Sequence, residues 1–202
     1  MKIAILVSGS GSNLQTLIDQ LHLDSNSGIE IAVVISDRPK AYALARAKKV
    51  RIPTYVVQLK HFSDRNAFDD QISGIIDNYK VKLILLAGYM KIFQPSFVRR
   101  YRYQLINIHP SLLPAFPGAH AVADTLTYHT KISGVTVHFV DEGVDTGPVI
   151  AQVPVPVLDN DNESSLHQRI QEAERKIYPQ VVRWFAANLI HVENRRVIIK
   201  QE

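Results

Sequence analysis

The stretch KIAILVSGSGSN, residues 2–13, decides the fold of this chain. After Lys2 it is a continuous apolar run to residue 7, which is typical of a strand buried on both faces. The run passes into a loop of glycine and serine at residues 8–12. Apolar residues then recur with helical spacing, at Leu14, Leu17, Ile18 and Leu21. This order predicts the first strand, turn and helix of a parallel sheet.

The same alternation of apolar runs and helical stretches continues through the first half of the chain. Further runs lie at residues 29–35, 54–57, 81–87 and 105–108, and helical patterns lie at residues 41–49 and 63–76. Apolar runs separated by helices indicate strands that are covered on both sides. We therefore predict a Rossmann-like open α/β sheet, mainly parallel, with helices on both faces, in a single domain over residues 1–202.

The second half of the chain has a different pattern. Residues 135–140 and 149–157 are apolar runs separated by a short Gly/Asp loop, which predicts an antiparallel pair of strands. A long helix is predicted over residues 163–188 and a small edge hairpin over residues 190–199. Ligands of open α/β sheets bind at the carboxyl ends of the strands, so we expect the functional site there.

Composition excludes several classes of protein. The chain has 202 residues and no cysteine, which excludes disulfides, thiolate catalysis and cysteine-bound metal. The net charge is only +4 and the basic residues are scattered, so no nucleic-acid partner is expected. The opening apolar run is too short for a signal peptide or a membrane span. We therefore expect a soluble, cytoplasmic protein without a membrane partner.

The glycine- and serine-rich loop has the chemistry of an anion site. Gly9 and Gly11 allow a tight turn, and the helix that follows presents free N–H groups at its positive end. It is not a P-loop, because no Gly-Lys-Ser/Thr follows. It is also an imperfect dinucleotide fingerprint, since Leu14 stands where the third glycine or alanine belongs. Asp37 could mimic the ribose-binding acid of that fingerprint, but it lies 28 residues after Gly9. A capped helix after a tight turn, without a ligand, is the alternative.

Two polar residues stand at the end of the strand predicted at residues 105–108. Asn107 and His109 are two apart, so their side chains project to the same face of the strand, and Pro110 then ends it. The alternative is that Asn107 and His109 are hydrogen-bonded residues with a purely structural role. Their position at the end of a strand in an α/β sheet favours a functional site. The acidic loop at residues 141–145 offers carboxylates that could orient His109, or that fill ordinary turn roles.

These motifs resemble those of the phosphoribosylglycinamide formyltransferase family of folate-dependent formyltransferases. The similarity covers almost the whole chain in order. The matching segments are SGSGSNL (8–14), LAGYM (86–90), NIHPSLLP (107–114), PGAH (117–120), GVTVHFVDEGVDTGP (134–148) and ERKIYP (174–179). The resemblance implies a phosphate- and nucleotide-binding half at residues 1–104 and a catalytic and folate-binding half at residues 105–202.

The resemblance implies transfer of a formyl group from 10-formyltetrahydrofolate to the amine of glycinamide ribonucleotide. Asn107 and His109 would stabilise the oxyanion, and Asp145 would orient His109 and assist proton transfer. The residues implied for substrate phosphate and ribose are Gly11, Ser12, Asn13, Gln171 and Glu174. Those implied for folate are Tyr89, Met90, Lys91, Ile92, Phe93, Val98, Val140, Asp141, Glu142, Gly143 and Val144. His120 and His138 also fall in matching motifs, which implies that they contact the catalytic residues and not the substrate. A buried, hydrogen-bonded histidine with a purely structural role is the alternative.

One position departs from the family pattern. The family often has Arg-Ile-Leu after the methionine, whereas this chain has Lys91-Ile92-Phe93, and lysine lacks the planar fork with which arginine binds a carboxylate. Contacts to the folate tail are therefore expected to differ. No histidine pair has metal-ligand spacing, so no metal is expected. A monomer or weak homodimer is expected.

Three other functions remain open at this point. In formyltetrahydrofolate hydrolase water replaces the amine, and that enzyme carries an N-terminal regulatory domain; because the first strand is predicted to begin at Lys2, we expect no such domain here. Methionyl-tRNA formyltransferase carries a further C-terminal domain. A nucleotide- or NAD-binding module without catalysis would use only the glycine- and serine-rich loop.

Overall fold

The apolar run at the start of the chain forms β1 (Lys2–Val7), in which every residue after Lys2 is buried. The computed structural model describes residues 1–200. The chain divides into two units, Met1–Ile106 and Asn107–Glu202. The seven strands of the main sheet, numbered β1 to β7 in chain order, are hydrogen-bonded in the order β3-β2-β1-β4-β5-β6-β7. The boundary between Ile106 and Asn107 falls within β5 (Leu105–His109). The predicted α/β class with a mainly parallel sheet flanked by helices is confirmed.

The first unit is a parallel sheet with connecting helices. β1 pairs in parallel with β2 and β4, and β2 pairs in parallel with β3. The strands after β1 are β2 (Glu30–Ser36), β3 (Thr54–Val56) and β4 (Leu83–Leu86). The helices are α1 (Ser12–Leu17), α2 (Tyr42–Lys49), α3 (Arg65–Asn78) and α4 (Pro95–Arg100). α1 continues as a π-helical turn, Ile18–His22, and a 3-10 turn spans Leu59–His61.

The second unit contains the antiparallel pair that the sequence predicts. β6 (Ile132–Phe139) pairs with β7 (Val149–Pro156), with an irregularity between Val137 and His138. α5 (Ala121–Tyr128) precedes this pair, and α6 (Glu163–Ala186) follows it. The predicted C-terminal hairpin is also found, as β8 (Ile190–Glu193) and β9 (Arg196–Ile199). The short helices α4 and α5 are not predicted from the sequence.

Candidate active site

Asn107 and His109 lie on one strand, β5, and both take part in the same cluster of polar side chains. Ile106 and Ile108, which alternate with them along the strand, are buried and hold the strand in the core. His109 is buried and Asn107 is half-buried. The strand therefore fixes the direction of both polar side chains, because alternate residues of a strand share a face.

Asp145 reaches the cluster from the loop between β6 and β7. Its backbone is left-handed, with φ at 55°, which is uncommon for a residue other than glycine. One carboxylate oxygen, Oδ2, accepts a hydrogen bond from the Gly118 backbone N–H at 2.8 Å and lies 3.4 Å from Nδ1 of His109. The other, Oδ1, lies 3.5 Å from Nδ2 of Asn107. The structure thus brings together the three residues that the sequence singled out.

His109 is held from both sides of its ring. Nδ1 faces the Asp145 carboxylate, and Nε2 lies 2.8 Å from the backbone carbonyl oxygen of Phe116. Both partners are acceptors, so an imidazolium, which donates from both nitrogens, satisfies both contacts. The Phe116 carbonyl is a contact that the sequence does not reveal, because a backbone oxygen carries no residue-type signal.

His138 supports Asn107 from the neighbouring strand β6. Its Nε2 lies 3.3 Å from Nδ2 of Asn107, and its Nδ1 lies 2.9 Å from the backbone oxygen of Phe139. Since that oxygen can only accept, Nδ1 carries the proton and Nε2 accepts from the Asn107 amide. Burial lowers the pKa of His138, which favours the neutral ring that this arrangement needs. His138 therefore fixes which end of the Asn107 amide faces the cluster.

The loop that carries Asp145 is organised by Asp141. Oδ1 of Asp141 accepts from the Gly143 N–H at 3.1 Å and from the Thr146 hydroxyl at 2.6 Å. A Cβ at Gly147 would lie 1.7 Å from the Phe139 carbonyl oxygen, so only glycine fits there without a backbone shift. Of the other loop residues expected to bind folate, Glu142 and Val144 are exposed and Val140 is half-buried.

The glycine- and serine-rich loop is shaped by α2. Gly11 has φ at 73°, and a Cβ there would lie 2.6 Å from Cβ of Ala43. Arg46 donates from Nε to the Ser10 carbonyl at 2.9 Å. Ser12 and Asn13, the next two expected phosphate ligands, are half-buried. The contact of Arg46 with this loop is not predicted from the sequence, because the two residues are 36 positions apart and leave no local signal.

Asp37 does not stand free as a ribose-binding acid. Its buried carboxylate accepts a hydrogen bond from the Ser8 hydroxyl at 2.6 Å. The same hydroxyl accepts from the Met90 N–H at 2.9 Å. Ser8 and Asp37 therefore hold the backbone of the segment expected to bind folate.

Within the segment at residues 89–98, some side chains face the core and others are exposed. Tyr89 stacks on Phe93 with ring centroids 5.5 Å apart, both rings are buried, and burial raises the pKa of the Tyr89 phenol. Val98 is also buried, whereas Met90 and Ile92 are 57% and 62% exposed and Lys91 is half-buried. Only Met90, Lys91 and Ile92 therefore have side chains exposed enough to contact a ligand directly, among the residues of this segment that were expected to bind folate.

Helix α3 anchors this segment from below. Arg65 donates from NH1 to the Ile92 carbonyl at 2.7 Å, and the Gln94 N–H donates to the Asp69 carboxylate at 2.7 Å. Burial raises the pKa of Asp69. Neither anchor is predicted from the sequence.

The remaining expected residues lie on α6 and before α5. Gln171 is half-buried, with Nε2 at 3.2 Å from Nε2 of His167, and Glu174 is buried. His120 is exposed, immediately before α5. Within residues 1–200, no group of three His, Asp or Glu side chains could hold a metal ion, and none of the helices described there is long and apolar enough to cross a membrane.

The fold and the cluster at β5 together define an α/β protein with a site suited to group transfer at a carbonyl carbon. Hydrogen-bond donors and a carboxylate meet at one point, as stabilisation of an oxyanion and proton transfer require. The formyl transferase family matches residues 1–182. The chain belongs to this family, and the resemblance found in its motifs is confirmed.

Relatives and solved structures agree with this assignment. The phosphoribosylglycinamide formyltransferase of Haemophilus influenzae is 41% identical over 193 residues, covering 96% of this chain and 91% of that protein. The trifunctional purine biosynthetic protein adenosine-3 of Drosophila melanogaster is 46% identical over 183 residues, or 90% of this chain. The chain spans only 14% of the length of that insect protein.

Two solved structures have the same fold. Glycinamide ribonucleotide transformylase 1 from Symbiobacterium toebii superposes with a TM-score of 0.96 at 41% identity, covering 100% of this chain and 94% of the other. A formyltetrahydrofolate deformylase from Pseudomonas syringae superposes with a TM-score of 0.91 at 26% identity, covering 99% of this chain and 66% of the other.

Proposed function

We propose that the chain transfers the formyl group of 10-formyltetrahydrofolate to the amine of glycinamide ribonucleotide, in purine biosynthesis. Family membership supports formyl transfer, and the names of the relatives from H. influenzae and S. toebii support this acceptor. The observation that carries the proposal is the meeting of Asn107, His109 and Asp145 at the end of β5.

The proposed reaction is an addition followed by an elimination at the formyl carbon. The amine nitrogen of the ribonucleotide forms a bond to that carbon, and the formyl oxygen takes up the electron pair as an oxyanion. Collapse of this adduct breaks the bond between the carbon and the folate nitrogen. The proton lost by the amine goes to that nitrogen, and Asp145 assists through a water molecule.

Asn107 and His109 are proposed to stabilise the oxyanion in different ways. The Asn107 amide has two hydrogens; in this conformation one is directed to His138 and the other to Oδ1 of Asp145 at 3.5 Å, so donation to the oxyanion replaces this longer contact with Asp145. The Nε2 hydrogen of His109 is directed to Phe116. In this conformation the His109 ring is held between Asp145 and Phe116, and a hydrogen bond from Nε2 to the oxyanion requires the ring to leave the Phe116 carbonyl.

The glycine- and serine-rich loop is proposed to bind the substrate phosphate. Backbone and side-chain donors of Gly11, Ser12 and Asn13 suit an anion, and Gln171 and Glu174 are proposed to bind the ribose phosphate. Gly11→Ala meets Ala43 at 2.6 Å, so it is expected to raise KM for the ribonucleotide. Gly9→Ala is the matched control, since a Cβ at Gly9 meets nothing within 4 Å.

The folate is proposed to bind to residues 89–93, Val98 and residues 140–144. The exposed apolar side chains of Met90, Ile92 and Val144 suit a pterin ring. Lys91 is proposed to contact the anionic tail with a single charge, where the family often uses an arginine fork.

Hydrolysis of formyltetrahydrofolate is the second candidate function, favoured by the shared fold with the P. syringae deformylase. We further propose that the chain acts in the cytoplasm as a monomer or weak homodimer, without metal, nucleic acid or membrane partners.

The deciding experiment follows the loss of 10-formyltetrahydrofolate with and without glycinamide ribonucleotide. Loss that depends on the ribonucleotide supports the transferase, and loss without it supports the hydrolase. Absence of turnover together with NAD binding supports a nucleotide-binding module.

The residue roles are tested in the same assay. Removal of one oxyanion donor costs about 10²–10³ in rate, so Asn107→Ala and His109→Ala are each expected to lose at least that factor. His61→Ala changes an exposed histidine and serves as the control. Near-normal turnover in Asn107→Ala or His109→Ala would overturn the assignment.

A further inference from the structure

The C-terminal hairpin contacts the loop that carries Asp145. The hairpin, β8 and β9, lies beyond residues 1–182, which the formyl transferase family matches. β9 packs against β7. In the turn between β8 and β9, Arg195 donates from NH2 to the Thr146 carbonyl at 2.5 Å. Its NH1 lies 3.8 Å from Oδ2 of Asp141.

The two partners of Arg195 are the ends of one small loop, residues 141–146. Asp141 is already bonded across this loop through its other oxygen, which accepts from the Thr146 hydroxyl at 2.6 Å. A guanidinium is planar and donates in several fixed directions, so Arg195 can bind a carbonyl and a carboxylate at the same time. Arg195 therefore closes the loop from outside residues 1–182, which the formyl transferase family matches.

Thr146 directly follows Asp145, so the position of the Thr146 peptide determines where the Asp145 carboxylate lies. That carboxylate must reach both Gly118 N–H and His109 Nδ1, at 2.8 and 3.4 Å, from a left-handed backbone. We propose that Arg195 is a positioning residue: by holding Thr146 and Asp141 it keeps the Asp145 carboxylate against His109. The expected effect of Arg195 on kcat rests on the proposed formyl transfer, whereas its expected effect on the position of the Asp145 carboxylate does not.

The size of the effect follows from the exposure of Arg195. Its side chain is 71% exposed, and exposed ion pairs contribute little because water screens them. The charge-assisted hydrogen bond to the Thr146 carbonyl is the larger contribution. Arg195→Ala is therefore expected to lower kcat by about threefold to tenfold, with little change in KM for the ribonucleotide. Arg195→Lys keeps a charged donor but loses the planar guanidinium that can bind two partners at once, so its kcat should lie between those of the wild type and Arg195→Ala.

A double-mutant cycle with Asp145→Ala separates positioning from a general loss of stability. If Arg195 acts through the Asp145 carboxylate, Arg195→Ala should lower kcat in the wild-type background and change it less than about twofold in the Asp145→Ala background. Arg196→Ala, an exposed arginine of the same hairpin, is the control and should leave kcat unchanged. The same fold-loss in both backgrounds, or no loss in the wild type, would contradict the proposal.

Amide hydrogen exchange at Gly118 tests the proposal without any turnover. The Gly118 N–H donates to Asp145, so its exchange should quicken in Arg195→Ala and stay unchanged in Arg196→Ala. If the wild type transfers no formyl group but Gly118 exchange still quickens in Arg195→Ala, the proposed function fails and the positioning role stands. If formyl transfer proceeds and Gly118 exchange is unchanged in Arg195→Ala, the positioning role fails and the function stands.

Discussion

His138 offers the sharpest test of how the Asn107 amide is oriented. The His138 ring donates from Nδ1 to Phe139 and accepts at Nε2 from Asn107. Asparagine places its amide near the position of Nδ1, and glutamine places its amide near the position of Nε2. His138→Asn therefore keeps the donor to Phe139 and loses the acceptor for Asn107. His138→Gln keeps an oxygen acceptor facing Asn107.

The expected magnitude follows from the burial of this contact. His138 is 2% exposed, so no bulk water replaces the lost acceptor. A buried donor left without its partner costs about 1–3 kcal/mol, which corresponds to about 5- to 150-fold in rate if it misdirects the oxyanion donor. His138→Asn is expected to lose kcat by this factor, and His138→Gln is expected to stay within about tenfold of the wild type.

The assay is steady-state formyl transfer, in which kcat and the two KM values are measured for both variants. Equal loss in His138→Asn and His138→Gln would contradict the reasoning, because the two differ in the acceptor that faces Asn107. A loss confined to KM would also contradict it, since a misdirected oxyanion donor affects the transition state rather than substrate binding.

The same residue gives a pH dependence of stability with a definite sign. Burial lowers the pKa of His138 from its ordinary value of 6.5, so below pH 6.5 the unfolded chain takes up a proton that the folded chain resists. The free energy of unfolding therefore falls as the pH drops below 6.5. His138→Gln removes this contribution, and its unfolding free energy should fall less steeply than that of the wild type. Parallel curves would contradict the prediction.

Three further predictions concern the loop, the folate segment and metal. Gly147→Ala places a Cβ 1.7 Å from the Phe139 carbonyl oxygen, so urea denaturation should show that the free energy of unfolding falls by about 3 kcal/mol. Gly74→Ala is the control: a Cβ there meets nothing within 4 Å on helix α3, so the free energy of unfolding should rise by about 0.5–1 kcal/mol. Ser8→Ala removes the hydroxyl that donates to Asp37 and accepts from the Met90 N–H, so it should cost about 1–3 kcal/mol in urea denaturation and raise KM for the folate; unchanged values would refute this. Dialysis against a chelator should leave the rate unchanged, and loss of activity restored by one metal would contradict this.

The fold could be predicted because its strands are continuous apolar runs. β1 and β4 are buried along nearly their whole length, and such runs separated by helices leave few arrangements other than a parallel sheet. The helix α4 was missed because six residues hold too few turns for a periodic signal, and only Phe97 and Val98 in it are buried. Periodicity reports burial on one face, so a helix this short cannot show it.

From the residues alone, the site was predictable only where it depends on local geometry; Asp145 was assigned to it through the family resemblance. Asn107 and His109 share a face because they are two apart on a strand. The approach of Asp145 to Asn107, across 38 positions, follows from the path of the β6–β7 loop. The contacts of His109 with Phe116 and of Thr146 with Arg195 use backbone oxygens, which every residue type provides. The residue types at Phe116 and Thr146 therefore gave no sign of these two contacts.

The most direct measurement of the central proposal is the stoichiometry of products in one reaction that contains both substrates. Formylated glycinamide ribonucleotide, tetrahydrofolate and formate are quantified over the same time course. Transfer through the site at β5 predicts equal amounts of formylated ribonucleotide and tetrahydrofolate with no formate. Tetrahydrofolate that accumulates together with an equal amount of formate, while the ribonucleotide stays unmodified, would contradict it.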